Sequence, residues 1–149
     1  MTTSSKKIVI PGGGGFIGRH LTRYFADKGW EVVVLSRRRN ERQEGARFVW
    51  WDGANLDAWV DELDGSDAVI NLAGRTVNCR YNKKNRRQIY ESRQSSTEVI
   101  GEAIADCAAP PSVWFNASSA TVYRHSLDRA MDEATGDIDL VEPGKPRDK

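Results

Sequence analysis

Short apolar runs alternate with amphipathic segments along this chain. The run Glu31–Leu35 (EVVVL) shows no polar alternation, which is typical of a strand covered by helices on both faces. Comparable runs predict further strands at 6–11, 47–51, 67–72 and 112–116. Helical spacing predicts a helix from residue 17 up to Gly29, a short one over 56–63 and a long one over 85–107. Strands and helices that alternate in this way form a doubly wound parallel sheet, with an expected strand order of 3-2-1-4-5.

A glycine-rich turn joins the first predicted strand to the first predicted helix. Its spacing, Gly12-x-x-Gly15-x-x-Gly18, permits a sharp turn, close approach of the backbone to a pyrophosphate, and tight packing of helix on strand. The helix N-terminus then offers unpaired N–H groups to the phosphates. These features predict an α/β fold of the Rossmann-like, dinucleotide-binding type. The expected contacts are Gly12, Gly14, Gly15, Phe16, Ile17 and Gly18. The alternative is a flexible turn without a ligand, which would cost backbone entropy and gain no packing.

The residues that follow the second predicted strand bear on the choice of dinucleotide. The sequence there is Ser36-Arg37-Arg38-Arg39, and no carboxylate occurs before Glu41. An acidic residue at this place accepts a hydrogen bond from the ribose 2′-OH of NAD, whereas an arginine accommodates the 2′-phosphate of NADP. The basic segment therefore predicts NADP(H) rather than NAD, with Ser36, Arg37 and Arg38 as contacts. A solvated basic turn is the alternative interpretation.

Two segments carry a family resemblance. The glycine loop GGxGFIG after an apolar strand, and the later segment Ser118–Tyr123 (SSATVY), resemble the atypical or extended branch of the short-chain dehydrogenase/reductase superfamily. Within that branch the chain is similar to the NAD-dependent epimerase/dehydratase-like "epimerase family" proteins. Pro11 departs from the family pattern, which has Ser or Thr there. The resemblance covers residues 6 to about 135, which is the N-terminal half of the family fold.

The resemblance implies further cofactor contacts after the third and fourth strands. Asp52 matches a residue placed beside the adenine, and the NLAG stretch matches a segment beside the riboses, which adds Leu72, Ala73 and Gly74. The pair Ser92-Arg93 resembles part of the family's long-helix signature. For Arg93, a cofactor or substrate contact and an ordinary surface arginine both remain open.

The catalytic residues implied by the resemblance are incomplete in this sequence. Ser119 matches the serine that hydrogen-bonds the substrate oxygen, while no tyrosine follows Tyr123 and so no Tyr-x-x-x-Lys pair is present after it. The match from Tyr24 to Lys28 precedes the second strand and is a chance match. We expect a truncated relative of nucleoside-diphosphate-sugar epimerases and oxidoreductases, without the C-terminal substrate-binding half. A non-catalytic NADP(H)-binding or redox-sensing module is the alternative.

Length and composition limit the domain count, the partners and the compartment that we expect for such a protein. At 149 residues we expect one Rossmann domain over residues 1–135 and an irregular tail over 136–149. A net charge of +1 argues against nucleic acid, although Lys83–Arg87 is basic, and no apolar run is long enough for a membrane helix. The two cysteines are in no metal or redox spacing, which indicates free thiols, the cytoplasm and no metal site. An exposed sheet edge could support a homo-oligomer.

Overall fold

The computed structural model describes residues 5–119 and 122–139, and the sheet and its helices lie between Lys7 and Asn116. The strands are β1 (Lys7–Pro11), β2 (Glu31–Ser36), β3 (Arg47–Trp50), β4 (Ala68–Asn71) and β5 (Val113–Asn116). Two α-helices, α1 (Phe16–Asp27) and α2 (Lys83–Ala105), and a 3₁₀ helix (Ala58–Glu62) connect them. The predicted alternation is confirmed. The segment expected as a short helix over 56–63 forms the 3₁₀ helix.

All five strands are parallel, and their order across the sheet is β3-β2-β1-β4-β5. This confirms the predicted order. The chain leaves β3 at one edge and returns to the other side of β1 as β4, so the direction of winding reverses between β1 and β4. In open α/β sheets a ligand binds at the carboxyl ends of the strands at such a reversal. The topology therefore places the candidate site beside the turn that follows β1.

The two faces of the sheet bury separate apolar clusters. Val9 and Val33 lie on the face that packs against α2, whereas their neighbours Ile8 and Val32 pack on the opposite face with α1 residues such as Leu21. Successive strand residues point to opposite faces, so strands apolar at every position serve both clusters. The result is a sheet with fixed strands beneath the loops at its carboxyl end.

The chain divides into two compact units, Met1–Ala117 and Ser118–Lys149. The first contains every strand of the sheet. In the second, Tyr123 forms an antiparallel bridge with Ile138, and the Arg124 guanidinium lies 3.1 Å from a carboxylate oxygen of Asp137. The expected boundary between residues 135 and 136 falls within this second unit and remains a prediction. Residues 140–149 of the expected irregular tail lie outside the described residues.

Within the described ranges, none of the helices is both long and apolar enough to cross a membrane. The same residues contain no cluster of three or more histidine, cysteine, aspartate or glutamate side chains placed to hold a metal ion.

Candidate functional site

A cavity of about 520 Å³ lies in the first unit, at the carboxyl ends of the central strands. Ten of the predicted cofactor contacts line it: Gly12, Gly14, Gly15, Ser36, Arg37, Arg38, Asp52, Leu72, Ala73 and Gly74. Its lining also includes residues that the sequence did not single out as contacts: Leu35, Glu41, Trp51, Gly53, Ala54, Arg75, Gln88, Glu91, Ser92, Ser95 and Ser96. The cavity therefore brings together the turns after β1, β2, β3 and β4 and one face of α2.

The turn after β1 is built on a backbone contact that only glycine permits. Gly12 has φ +74°, and a Cβ placed on it would lie 2.8 Å from the Cα and the N of Ala73. Its N–H donates to the Leu35 carbonyl at 2.9 Å, and the Leu72 N–H donates to the Pro11 carbonyl at 2.9 Å. These bonds hold the turns after β1, β2 and β4 together. The missing Cβ leaves a cradle of bare backbone, as a pyrophosphate requires.

The N-terminus of α1 faces this cradle. Gly15 is the N-cap residue, no side chain caps the helix, and the first turn contains no acidic residue within the described part of the chain. The first N–H groups of a helix lack intrahelical partners and carry partial positive charge, so this end suits an anion. Phe16 and Ile17, which are 80% and 60% exposed, begin the helix but do not line the cavity.

Gly18 is also absent from the cavity lining, and its environment gives it a packing role. It is buried, and a Cβ on it would overlap the Gly13 carbonyl group. The close approach of α1 to the glycine loop thus depends on a residue without a side chain. Gly18 therefore supports the glycine loop without lining the cavity.

The segment after β2 presents its three arginines in different ways. Arg37 lines the cavity, and no described residue forms an ion pair or hydrogen bond with its guanidinium. Arg38 also lines the cavity, and its guanidinium lies 3.6 Å from a carboxylate oxygen of Glu41. The Arg39 guanidinium instead stacks 4.1 Å from the centre of the Trp50 ring. Only Arg37 therefore offers a cavity-lining cation without a partner among the described residues.

Glu41 lines the cavity, although the sequence interpretation did not predict it as a contact. Its carboxylate accepts a 2.6 Å hydrogen bond from the Ser36 hydroxyl, and its side chain is only 9% exposed. Arg19 of α1 joins the loop after β2 to the glycine loop. Its Nε donates to the Gly14 carbonyl at 3.1 Å, and its guanidinium lies 3.8 Å from Glu41. The polar loop after Arg39 resembles solvated chain in sequence, and only its folded path brings this acid into the cavity.

Asp52 organises the turn after β3. Its carboxylate accepts hydrogen bonds from the side-chain amide of Asn55 at 2.6 Å and from the backbone N–H groups of Ala54 and Asn55 at 2.8 and 2.9 Å. The Asn55 amide and then these N–H groups hold the pKa of Asp52 below its usual value. Beside it, Trp51 packs edge-on against Trp59 at 5.5 Å and also lines the cavity. Trp51 therefore belongs both to the buried core and to the cavity wall.

The turn after β4 is fixed by amide and hydroxyl side chains. Asn71 accepts from the Ala73 N–H at 3.0 Å and donates to the Asn116 side chain at 2.9 Å. The Arg75 N–H donates to the Ser92 hydroxyl at 2.9 Å, which ties the same turn to α2. The backbone of Leu72 to Gly74 is thereby held at the cavity wall.

Arg93 lies behind this wall and is not part of the cavity lining. Its guanidinium donates to the carbonyl groups of Arg75 and Ile89 at 3.1 and 3.0 Å. A Cβ on Gly74 would lie 3.1 Å from the Arg93 guanidinium carbon, so Gly74 leaves room for that group. These contacts give Arg93 a positioning role for the turn after β4.

The face of α2 toward the cavity is polar. It consists of Gln88, Glu91, Ser92, Ser95 and Ser96, which recur at helical spacing. A polar stripe of this kind is typical of a solvent-facing helix surface, and only Ser92 was marked in the sequence, through the family's long-helix signature. Ser119, the expected catalytic serine, lies in the second unit, where its carbonyl accepts from the Val122 N–H at 3.0 Å.

A parallel sheet in this order, with a glycine cradle at the reversal of winding, defines a dinucleotide-binding protein of the Rossmann class. The chain belongs to the NAD dependent epimerase/dehydratase family, whose family model matches residues 8–146. The resemblance read from the glycine loop and the SSATVY segment is thereby confirmed.

Individual relatives agree with this assignment. The chain is 34% identical over 139 residues to the epimerase family protein YfhF of Bacillus subtilis, which covers 90% of this chain and 45% of that one. A crystal structure of the human epimerase family protein SDR39U1 with NADPH matches 87% of this chain and 42% of its own, at 29% identity and a TM-score of 0.66. MoeE5 in complex with UDP-glucuronic acid and NAD matches 87% of this chain and 42% of its own, at 25% identity and a TM-score of 0.70. The chain therefore spans less than half the length of the relatives it matches.

Proposed function

We propose that this chain binds a nicotinamide dinucleotide in the cavity at the carboxyl end of the sheet, and that it prefers NADP(H). The observation that carries the proposal is the glycine cradle, where the bare backbone of Gly12 meets that of Ala73 beside an uncapped helix N-terminus. A similar protein, human SDR39U1, has a crystal structure with NADPH, and MoeE5 has one with NAD. Both ligands share the pyrophosphate that this cradle suits.

The preference for NADP(H) rests on Ser36, Arg37 and Arg38. All three line the cavity at the end of β2, where a Rossmann protein meets the adenine ribose. A planar guanidinium forks onto phosphate oxygens, and Arg37 has no described partner that would compete for it. A 2′-phosphate would therefore gain a charge-assisted contact that a 2′-hydroxyl cannot make.

For a protein as long as the relatives, with this chain as its N-terminal part, we propose an oxidoreductase or sugar-nucleotide epimerase activity. In that activity Ser119 hydrogen-bonds the substrate oxygen. A bound nicotinamide accepts or supplies a hydride in such reactions. Ser119 lies in the SSATVY segment that matches the family pattern. The alternative is a non-catalytic NADP(H)-binding or redox-sensing module, which would bind the nucleotide without turnover.

Titration of the chain with NADPH and NADH, followed by tryptophan fluorescence, tests the nucleotide proposal. We expect saturable quenching with both nucleotides, because Trp51 lines the cavity, and a lower Kd for NADPH. Equal affinities would contradict the preference, and no binding of either nucleotide would contradict the site itself. Turnover of NADPH with a panel of carbonyl compounds or nucleotide sugars would exclude the binding-only alternative.

We also propose that the chain self-associates through β5. Strand β5 is at the edge of the sheet, and Phe115 on it is 60% exposed. An exposed edge strand with apolar side chains favours pairing with another chain. The expected result is a dimer or larger species in light scattering at micromolar concentration, and a monomer throughout would contradict it.

The proposed compartment is the cytoplasm. Both cysteines are free thiols, which supports a reducing compartment.

A further inference from the structure

The Glu41 carboxylate already lies among the groups that the proposed function assigns to the 2′-phosphate. It accepts the Ser36 hydroxyl at 2.6 Å and lies 3.6 Å from the Arg38 guanidinium. A Cβ placed on Gly14 would be 2.5 Å from both of its oxygens, so the carboxylate packs directly on the glycine loop. With 9% of its side chain exposed, Glu41 is part of the cavity wall rather than a surface group.

The hydrogen bonding of Ser36 leaves no donor for a second anion. A hydroxyl has one proton to donate, and that of Ser36 is directed at Glu41, while its oxygen accepts from the Arg38 N–H at 3.1 Å. A phosphate oxygen could receive the Ser36 proton only if the Glu41 carboxylate released it. The two anions are therefore competitors for the same hydroxyl.

Charge makes the competition stronger. A 2′-phosphate placed beside Ser36 would stand close to the Glu41 carboxylate, and two negative charges at such a distance repel each other strongly in a partly dehydrated site. Two of the nearby cations, Arg19 and Arg38, already face Glu41 at 3.8 and 3.6 Å. An uncharged ribose 2′-hydroxyl would meet no such repulsion.

We propose that Glu41 is a specificity-determining residue that occupies the 2′-phosphate position and lowers the affinity of the site for NADP(H) relative to NAD(H). The inference rests on the proposed dinucleotide site. Arg37 favours NADP(H), and Glu41, five residues beyond Ser36, opposes that preference. NADP(H) binds when Glu41 leaves Ser36, and NAD(H) binds with the carboxylate in place.

The test compares nucleotide binding by the wild-type chain and by the Glu41→Gln variant, which keeps the side-chain shape and removes the charge. We expect the Kd for NADPH to fall by about 10-fold or more and the Kd for NADH to change by less than about 3-fold. Adenosine 2′,5′-bisphosphate and AMP, titrated in the same way, should show the same contrast, because they contain only the adenosine half. Glu41→Ala provides a second variant should the glutamine protein fold poorly.

Glu44→Gln is the matched control, since Glu44 lies in the same loop, is exposed and does not line the cavity. It removes the same charge and should leave all four affinities unchanged. An unchanged ratio of NADPH to NADH affinity in both Glu41 variants would overturn the inference and leave the dinucleotide site intact. Weaker NADH binding in those variants would also overturn it, because Glu41 would then be a ligand of the ribose hydroxyl. Absence of binding by every protein would reject the proposed function itself.

Discussion

Replacing Gly18 by alanine is expected to lower the free energy of unfolding by about 3 kcal/mol and Tm by about 10 °C. A Cβ at this position would overlap the Gly13 carbonyl group, which is backbone and cannot rotate away. Helix α1 would have to move away from the glycine loop, and the cradle behind the proposed pyrophosphate site would open. We therefore also expect at least a 10-fold weaker binding of NADPH. Thermal and urea unfolding, together with the fluorescence titration, measure both effects.

Gly15→Ala is the control within the same loop. Gly15 has an ordinary φ of −78°, and the nearest atom to an added Cβ, the Gly12 carbonyl oxygen, would be 3.8 Å away. Its replacement should change the free energy of unfolding by less than about 1 kcal/mol. Equal stability of the Gly18→Ala and wild-type proteins would show that α1 does not pack on the loop as described.

The sheet could be predicted from the sequence because each strand is apolar on both faces. The four-residue run from Val32 to Leu35 has no other plausible location than the middle of a covered sheet. Helix boundaries were less exact. Helix α2 begins at Lys83, before the predicted start at residue 85, because the Asn82 side chain accepts from the Asn85 N–H at 2.9 Å and caps it. Two lysines give no apolar periodicity, so the pattern could not show this first turn.

The site was predictable where it depends on backbone shape, and not where it depends on the path of a loop. The glycine turn and the NLAG turn follow strands directly, so their positions at the sheet edge are fixed by topology. Glu41 reaches the cavity because the loop is joined to α1 by the Arg19–Glu41 ion pair and by Gln43, which donates to the Arg19 carbonyl at 3.1 Å. Such contacts join residues more than twenty positions apart, and no local pattern encodes them.

The path of this loop also separates Arg37 from Arg38, which the sequence predicted together as contacts. Arg37 faces the cavity without a described partner, Arg38 faces Glu41, and Arg39 stacks on Trp50 at 4.1 Å. A guanidinium already bound to a carboxylate or an indole ring contributes less to a new ligand, since the first contact must be given up. Under the proposed preference for NADP(H), Arg37 is therefore the cation assigned to the 2′-phosphate.

Replacing Arg37 by alanine is accordingly expected to raise the Kd for NADPH by about 30- to 150-fold, while the Kd for NADH changes by less than about 3-fold. The magnitude follows from a charge-assisted contact worth about 2–3 kcal/mol, which only the phosphorylated ribose can make. The effect should shrink at high ionic strength, because the contact is an ion pair at the mouth of an open cavity. Titrations at low and high salt with both nucleotides measure it.

Arg39→Ala removes the same charge from the same segment and is the matched control. Its guanidinium lies over Trp50, so its loss should cost about 0.5–1 kcal/mol of stability and leave nucleotide affinity nearly unchanged. If Arg39→Ala weakened NADPH binding as much as Arg37→Ala, the preference would come from the net charge of the segment rather than from a positioned fork. If neither change affected NADPH, Ser36 and Arg38 would have to hold the phosphate unaided. Because Glu41 competes for both of those residues, that arrangement would leave the site selective for NAD(H).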